Sequence, residues 1–180
     1  MNKKLKLWEL NRSTPEAFKS SPKMPICVLL DDVRSFENVG SVFRTSDAFC
    51  IQELILCGIT PVPPHREIHK TALGATETIT WSHEPNILTK VISLKEEGFQ
   101  IIAIEQTEKT LGLHRMNELL TTKVVFVFGN EVNGVNQEVI NLCDGVIEIP
   151  QFGTKHSLNI SVCAGIVLWE ASKLLNPNLQ

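Results

Sequence analysis

Short apolar runs rich in β-branched residues recur along the chain at ICVLLD (26–31), ELILCG (53–58), FQIIAIE (99–105), VVFVFG (124–129) and VIEIP (146–150), with a shorter piece near TITW (78–81). Between them the apolar spacing becomes helical. One helix begins near Asn38, one covers about 85–97, one covers about 136–142 and is started by Asn136, and a long one runs from about 157 to 175. Strand runs alternating with helices predict an α/β fold, a mostly parallel sheet flanked by helices. The last helix, SLNISVCAGIVLWEASKLL (157–175), is apolar on nearly every face of its first turns, as expected of a helix covered both by its own sheet and by a second subunit. PVPPHREIHKTALGATET (61–78) reads as a long irregular loop, a kind that often carries function.

FENVGSVFRTSD (36–47) puts Asn38, Gly40 and Arg44 where a helix starts. Asparagine is a good N-cap. Glycine in a first turn costs about 1 kcal/mol relative to alanine, so Gly40 asks for a close approach to the backbone. Helical side chains lean over the preceding turn, which lays Arg44 across position 40 and gives its guanidinium a path to the helix start. The same residues also fit a capped surface helix with a solvated arginine.

A chain of 180 residues suffices for one domain with a real core. Residues 1–24 hold Lys3, Lys4, Lys6, Arg12, Lys19 and Lys23 against Glu9 and Glu16, a balance of +4, so with a net charge of −3 the remainder carries −7. Residues 1–24 are therefore expected to form a basic arm, able to follow a phosphate backbone or to remain solvated, ahead of a domain over 25–180. The cysteines at 27, 50, 57, 143 and 163 form no CxxC pair and sit mostly in apolar stretches, which fits a reducing cytoplasm. No stretch of 18 apolar residues is present, so neither export nor a membrane span is expected.

The common chemical signatures are missing. The chain has no GxG fingerprint, GTK (153–155) lacks the ending of a phosphate loop, His65 and His69 stand outside an HExxH pattern and read as loop histidines rather than metal ligands, and Ser157 lies in no nucleophile elbow. What remains is three polar, glycine-bearing segments at strand ends: the 36–47 stretch, FGNEVNGV (128–135) and IPQFGTKHSLNISVCAGI (149–166). In open α/β sheets ligands bind beyond the carboxyl ends of strands, where these segments can meet.

In this order, NVGSVFR (38–44), GNEVNG (129–134) and IPQFGTKHSLNIS (149–161) closely resemble the three motifs of the SpoU/TrmH family of RNA ribose 2′-O-methyltransferases, within the SPOUT class, over about residues 25–175. The resemblance implies a deep trefoil knot in the C-terminal part, a homodimer with its active site near the subunit contact, and S-adenosylmethionine as cofactor. It places the family's catalytic positions on Asn38, Arg44, Glu131 and Asn159, and the cofactor against Ile104, Gly129, Ile149, Ser157 and Leu158. Arg44 is expected to hold a phosphate or the developing alkoxide rather than to act as a base, since a guanidinium stays protonated. Glu131 can orient Arg44 or Asn38, or form only a surface ion pair; Asn159 can fix the third loop. KTALGATE (70–77) looks like the corresponding segment of tRNA-modifying members, which favours tRNA over rRNA as substrate, with the basic arm, the 61–78 loop and the dimer supplying recognition. The alternatives are a non-catalytic SPOUT-fold RNA-binding protein, against which the four intact polar positions argue, and an enzyme acting on a small molecule.

Overall fold

The five longer β-branched runs form strands where expected. The computed structural model describes residues 1–176, with Leu7 described by its backbone alone; residues 177–180, the expected end of the domain, lie outside the described residues. The strands are β1 (Met24–Asp31), β2 (Ile51–Cys57), β3 (Trp81–Glu84), β4 (Gln100–Ile104), β5 (Leu111–Gly112), β6 (Val124–Phe128) and β7 (Gly145–Glu148). They make one sheet in the order β3-β2-β1-β6-β4-β7-β5, and every ladder is parallel. The helices are α1 (Pro15–Ser20), α2 (Phe36–Ala48), α3 (Arg66–Ala72), α4 (Ala75–Thr78), α5 (Ile87–Glu96), α6 (Gln137–Leu142) and α7 (Ile160–Leu175), with 3-10 turns at Leu7–Glu9 and Leu113–Glu118.

The central strands β1 and β6 are apolar at successive positions because both of their faces are covered. Val28, Leu30, Phe126 and Phe128 face α2, α3, α4 and α7, whereas Cys27, Leu29, Val125 and Val127 face α5 and α6. The helices thus form a layer on each side. Burial pushes the thiols of Cys27 and Cys57 up to about 12, which leaves them as unreactive core residues. Among the described residues no helix is long and apolar enough to cross a membrane.

Several boundaries differ from the sequence expectation. α2 starts at Phe36, because Ser35 is its cap: Ser35 Oγ accepts the Asn38 N–H at 3.2 Å, which puts Asn38 inside the first turn. The 61–78 segment is helical rather than irregular. Ile68, Ala72, Ala75 and Ile79 are buried at helical spacing, His65 caps α3, and Leu73 and Gly74 turn the chain in the left-handed region before α4. His65 and His69 therefore belong to the cap and body of α3, not to a loop. With 75–78 coiled as α4, the strand expected at 78–81 forms at Trp81–Glu84 instead. The last helix begins at Ile160 with Asn159 as cap, so Ser157 and Leu158 stay in the loop before it. Of the arm, α1 rests beside α4 and Phe18 packs on the core, while Met24 already belongs to β1.

Gly40 has a reason other than Arg44. A Cβ there would collide with the Ile68 carbonyl and the Thr71 hydroxyl, so the space beside Gly40 is occupied by α3. Thr71 Oγ1 seals the contact by donating to the Glu37 carbonyl at 3.1 Å. Gly40→Ala should therefore destabilise the protein by about 1–3 kcal/mol, despite alanine's better helix propensity, because a backbone carbonyl cannot move aside as a side chain can. The midpoint of urea denaturation measures this, and an unchanged or raised midpoint would mean that α2 and α3 can separate freely.

Candidate active site

Because the sheet is parallel, β1, β4, β6 and β7 all end on one side, in register: Leu30 and Ile104 both pair with Phe128, and Ile104 pairs with Ile147. The segments that leave these ends are the ones carrying the polar motifs, and they meet.

The junction is a chain of side-chain hydrogen bonds. Glu131, in the loop after β6, accepts the backbone N–H groups of Arg34 and Ser35 at 3.0 and 3.1 Å and the Asn38 Nδ2 at 3.1 Å. A carboxylate only accepts, so it turns the Asn38 amide with its nitrogen inward and leaves Oδ1 to receive Asn159 Nδ2, at 3.0 Å. Asn159 Oδ1 in turn accepts the Ser161 N–H at 2.8 Å and caps α7. One directional relay thereby joins all three motifs. Partial burial works against ionisation of Glu131, but the N–H groups of Arg34, of Glu131 itself and of Ser35, together with the Asn38 amide, outweigh it and hold the carboxyl below its ordinary value.

The loop after β6 is shaped for this task. Asn130 and Gly134 exchange backbone hydrogen bonds of 3.0 and 2.9 Å across it, Asn130 Oδ1 accepts the N–H groups of Val132 and Asn133, and Asn130 Nδ2 reaches the Asp32 carbonyl at 2.6 Å. Glu131 is thus presented from a rigid turn. Gly129 has no room for a Cβ against the backbone of Gly134 and Val135, and Gly134 has a φ of 68°. Glu105, just past β4, accepts the Val135 N–H at 3.0 Å and the Gln106 N–H at 2.8 Å, while the buried Asp31 accepts the Asn136 N–H at 2.9 Å. Burial raises the Asp31 carboxyl above its ordinary value, only partly offset by that Asn136 bond.

Between the ends of β4, β6 and β7 and the start of α7 lies an open cleft of about 1380 Å³. Ile104, Gly129, Ile149, Ser157 and Leu158 all line it, as do Glu131 and Asn159. Asn38 joins through its hydrogen bonds. Arg44 does not line the cleft; it is exposed on α2 and has no hydrogen-bond or ion-pair partner among the described residues. Glu131 accordingly meets Asn38 and not Arg44, and among the described residues it forms no ion pair. The cleft offers apolar walls from Ile104, Phe128, Ile149, Leu158 and Ile160, exposed loop backbone, and an excess of acids, Glu105, Glu108, Glu131 and Glu148, over Lys109. That chemistry suits a flat heterocycle attached to a cationic centre. Among the described residues no group of three or more His, Cys, Asp or Glu could hold a metal ion.

Sequence reasoning missed Ser35, Glu105, Asp31 and Asn130. Ser35, two residues before the helical spacing begins to read clearly, carried an N-cap signal; Glu105 and Asp31 are acids at the ends of buried strands, where a charge has no packing role.

The family described as SpoU rRNA Methylase matches residues 25–169. The chain belongs to that family. It is 32% identical over 149 residues to the 23S rRNA (guanosine-2′-O-)-methyltransferase RlmB of Neisseria meningitidis, a match covering 83% of this chain and 58% of the relative. It is 29% identical to the tRNA (guanosine(18)-2′-O)-methyltransferase of Aquifex aeolicus, over 82% of this chain and 69% of that one. The fold matches the AdoMet-bound rRNA methyltransferase from Sinorhizobium meliloti with a TM-score of 0.78 at 27% identity, covering 89% of this chain and 60% of that one. This chain therefore spans a little under two thirds of the Neisseria and Sinorhizobium proteins.

Glu131→Gln should lower the denaturation midpoint at pH 7, since it removes a charge that three donors converge on and turns an amide N–H toward them. With a depressed folded pKa, the stabilisation is fully present above the unfolded value of about 4.3 and is lost as pH falls through the folded value. The gap between wild type and variant should therefore narrow from pH 7 to about pH 3 in urea melts; an equal gap at both would show that ionisation of Glu131 contributes nothing.

Proposed function

We propose that this chain is an S-adenosylmethionine-dependent RNA methyltransferase acting on a ribose 2′-hydroxyl. The observation that carries the reading is the hydrogen-bond chain from Glu131 through Asn38 to Asn159 at the rim of the cleft, in a member of this family. Both the Neisseria and the Aquifex relatives are named as guanosine 2′-O-methyltransferases, one for 23S rRNA and one for tRNA. Their identities to this chain are too close to separate the two substrates, and the preference for tRNA rests on the KTALGATE stretch, which spans the end of α3 and α4.

The cofactor would be held by Ile104, Gly129, Ile149, Ser157 and Leu158, whose side chains and backbone suit its adenine and whose acidic surroundings suit its sulfonium. When bound, it supplies an electrophilic methyl group. Asn38, with its amide fixed from both sides, would orient the ribose. Arg44 would hold an RNA phosphate or stabilise the charge developing on the 2′-oxygen, as expected of a guanidinium that stays protonated. A single protomer leaves Arg44 outside the cleft and leaves Val162, Ile166 and Trp169 exposed along α7, which packs beside α2. A second copy seated on that face would complete the site. The deep trefoil knot belongs to the same reading; supporting it are the placement of β7 outside β4 after β6 has entered beside β1, and the return of α7 to α2. In the arm, Lys3 is tied to Glu9 at 3.7 Å, whereas Lys4 and Arg12 have no ion-pair partner among the described residues and are available to phosphates. A cytoplasmic location fits the free thiols.

Incubation with labelled S-adenosylmethionine and unmodified tRNA or 23S rRNA should yield an alkali-resistant 2′-O-methyl dinucleotide; its absence with both RNAs refutes the enzyme reading. Arg44→Ala should lower kcat by about 100-fold or more while cofactor affinity, measured calorimetrically, stays within a few-fold. Equal loss of both would give Arg44 a structural role. Ile166→Asp should shift the protein to monomer in sedimentation velocity and abolish methylation, and a dimer that persists would move the subunit contact elsewhere.

A further inference from the structure

Beside the relay, α2 and α3 each contribute an exposed ring that the core does not use. Phe36, the first residue of α2, stacks on His65, the cap of α3, with ring centroids 3.9 Å apart and planes 27° from parallel. Phe36 nonetheless remains 37% exposed and His65 is exposed as well. Neither ring joins a core cluster. His65 Nδ1 accepts the Glu67 N–H at 3.2 Å, which fixes the imidazole and leaves Nε2 as a donor.

The location gives the pair a use. Phe36 directly follows Ser35, whose N–H is held by Glu131, and lies two residues before Asn38. Arginines neighbour both rings in the chain, Arg34 two residues before Phe36 and Arg66 next to His65. Arg34 is exposed with no ion-pair partner for its guanidinium among the described residues, and the Arg66 side chain, 94% exposed, reaches only Glu67, at 3.8 Å. Exposed aromatic surface with exposed guanidinium groups at nearby positions in the chain matches an unpaired nucleobase and its phosphates, since single-stranded RNA is held by stacking and backbone charge together. An acidic peptide would satisfy the arginines but not the rings.

We propose that the Phe36–His65 stack is a platform for an unpaired base neighbouring the nucleotide whose ribose is presented to Asn38, with Arg34 and Arg66 on the adjoining phosphates. This rests on the RNA methyltransferase reading and adds a specificity element to it: the substrate must be splayed open beside the modified nucleotide.

The test is steady-state methylation of unmodified tRNA and 23S rRNA, using whichever the wild type accepts, with thermal melting and cofactor affinity measured alongside. Phe36→Leu should raise KM for RNA by roughly 5- to 100-fold, the range for loss of one base–aromatic stack, with kcat and cofactor affinity unchanged. Phe36→Trp should restore KM. His65→Ala, which removes the other ring of the stack, should raise KM as well. If the Leu variant keeps the wild-type KM, or melts lower without a change in KM, the pair merely closes the α2–α3 seam and the platform is overturned. If KM rises in the Leu variant but Trp fails to rescue it, stacking is not the cause and the platform is again overturned. A wild-type chain that methylates neither RNA overturns the methyltransferase reading and the platform with it, an outcome distinct from an active enzyme indifferent to Phe36.

Discussion

Glu131 sits on an exposed turn and pairs with no cation among the described residues, yet it is ionised and gripped by three donors. Backbone N–H groups at the entry to a helix are unpaired by the helix itself and attract negative charge. By filling that need for the segment entering α2, Glu131 ties the end of β6 to the end of β1, and its remaining demand for a donor sets the orientation of Asn38. Everything downstream, the Asn159 amide and the start of α7 included, takes its direction from that one charge.

The stiffness behind it comes from close backbone packing. Gly40 lets α3 press on α2, and Gly129 lets the turn after β6 fold back on itself. Around these contacts two strand-end acids, Asp31 and Glu105, accept backbone N–H groups of the segment after β6. One side of the cleft therefore carries two carboxylates, Glu105 and Glu131, already oriented by N–H groups, and 150–158 bring to it a largely exposed segment, where Phe152 is 98% exposed.

Much of this was legible in the chain. Central parallel strands must be apolar on both faces, so β1, β2, β4 and β6 announce themselves, and capping asparagines mark α6 and α7. The two-residue β5 has too few positions to show a period, and α3 and α4 were hidden by the prolines and the polar residues that surround their buried stripe. The cleft residues were recognisable because three motifs recur in order in a known family. Their pairing was not. Asn38 lies 93 residues from Glu131 and 121 from Asn159, and no local pattern reports which of two candidate partners a carboxylate will meet across such a distance. The close approach that Gly40 demands is present, but for the same reason its source is not legible locally: Ile68 and Thr71 of another helix press on it, not Arg44.

The one-way character of the relay also constrains how such a protein can change. Each amide presents its nitrogen to one neighbour and its oxygen to the other, so a change at any one of the three positions leaves a donor facing a donor or an acceptor facing an acceptor. Aspartate at 38, a single-atom exchange, would set two carboxylates against each other across the gap now spanned at 3.1 Å. A workable alternative needs compensating changes at sites far apart in the gene, acquired through intermediates that are each worse than the start. The three positions are thereby locked as a set, and novelty is steered outward, to exposed positions such as those of the arm's first residues, where one side chain can be exchanged without consulting the others.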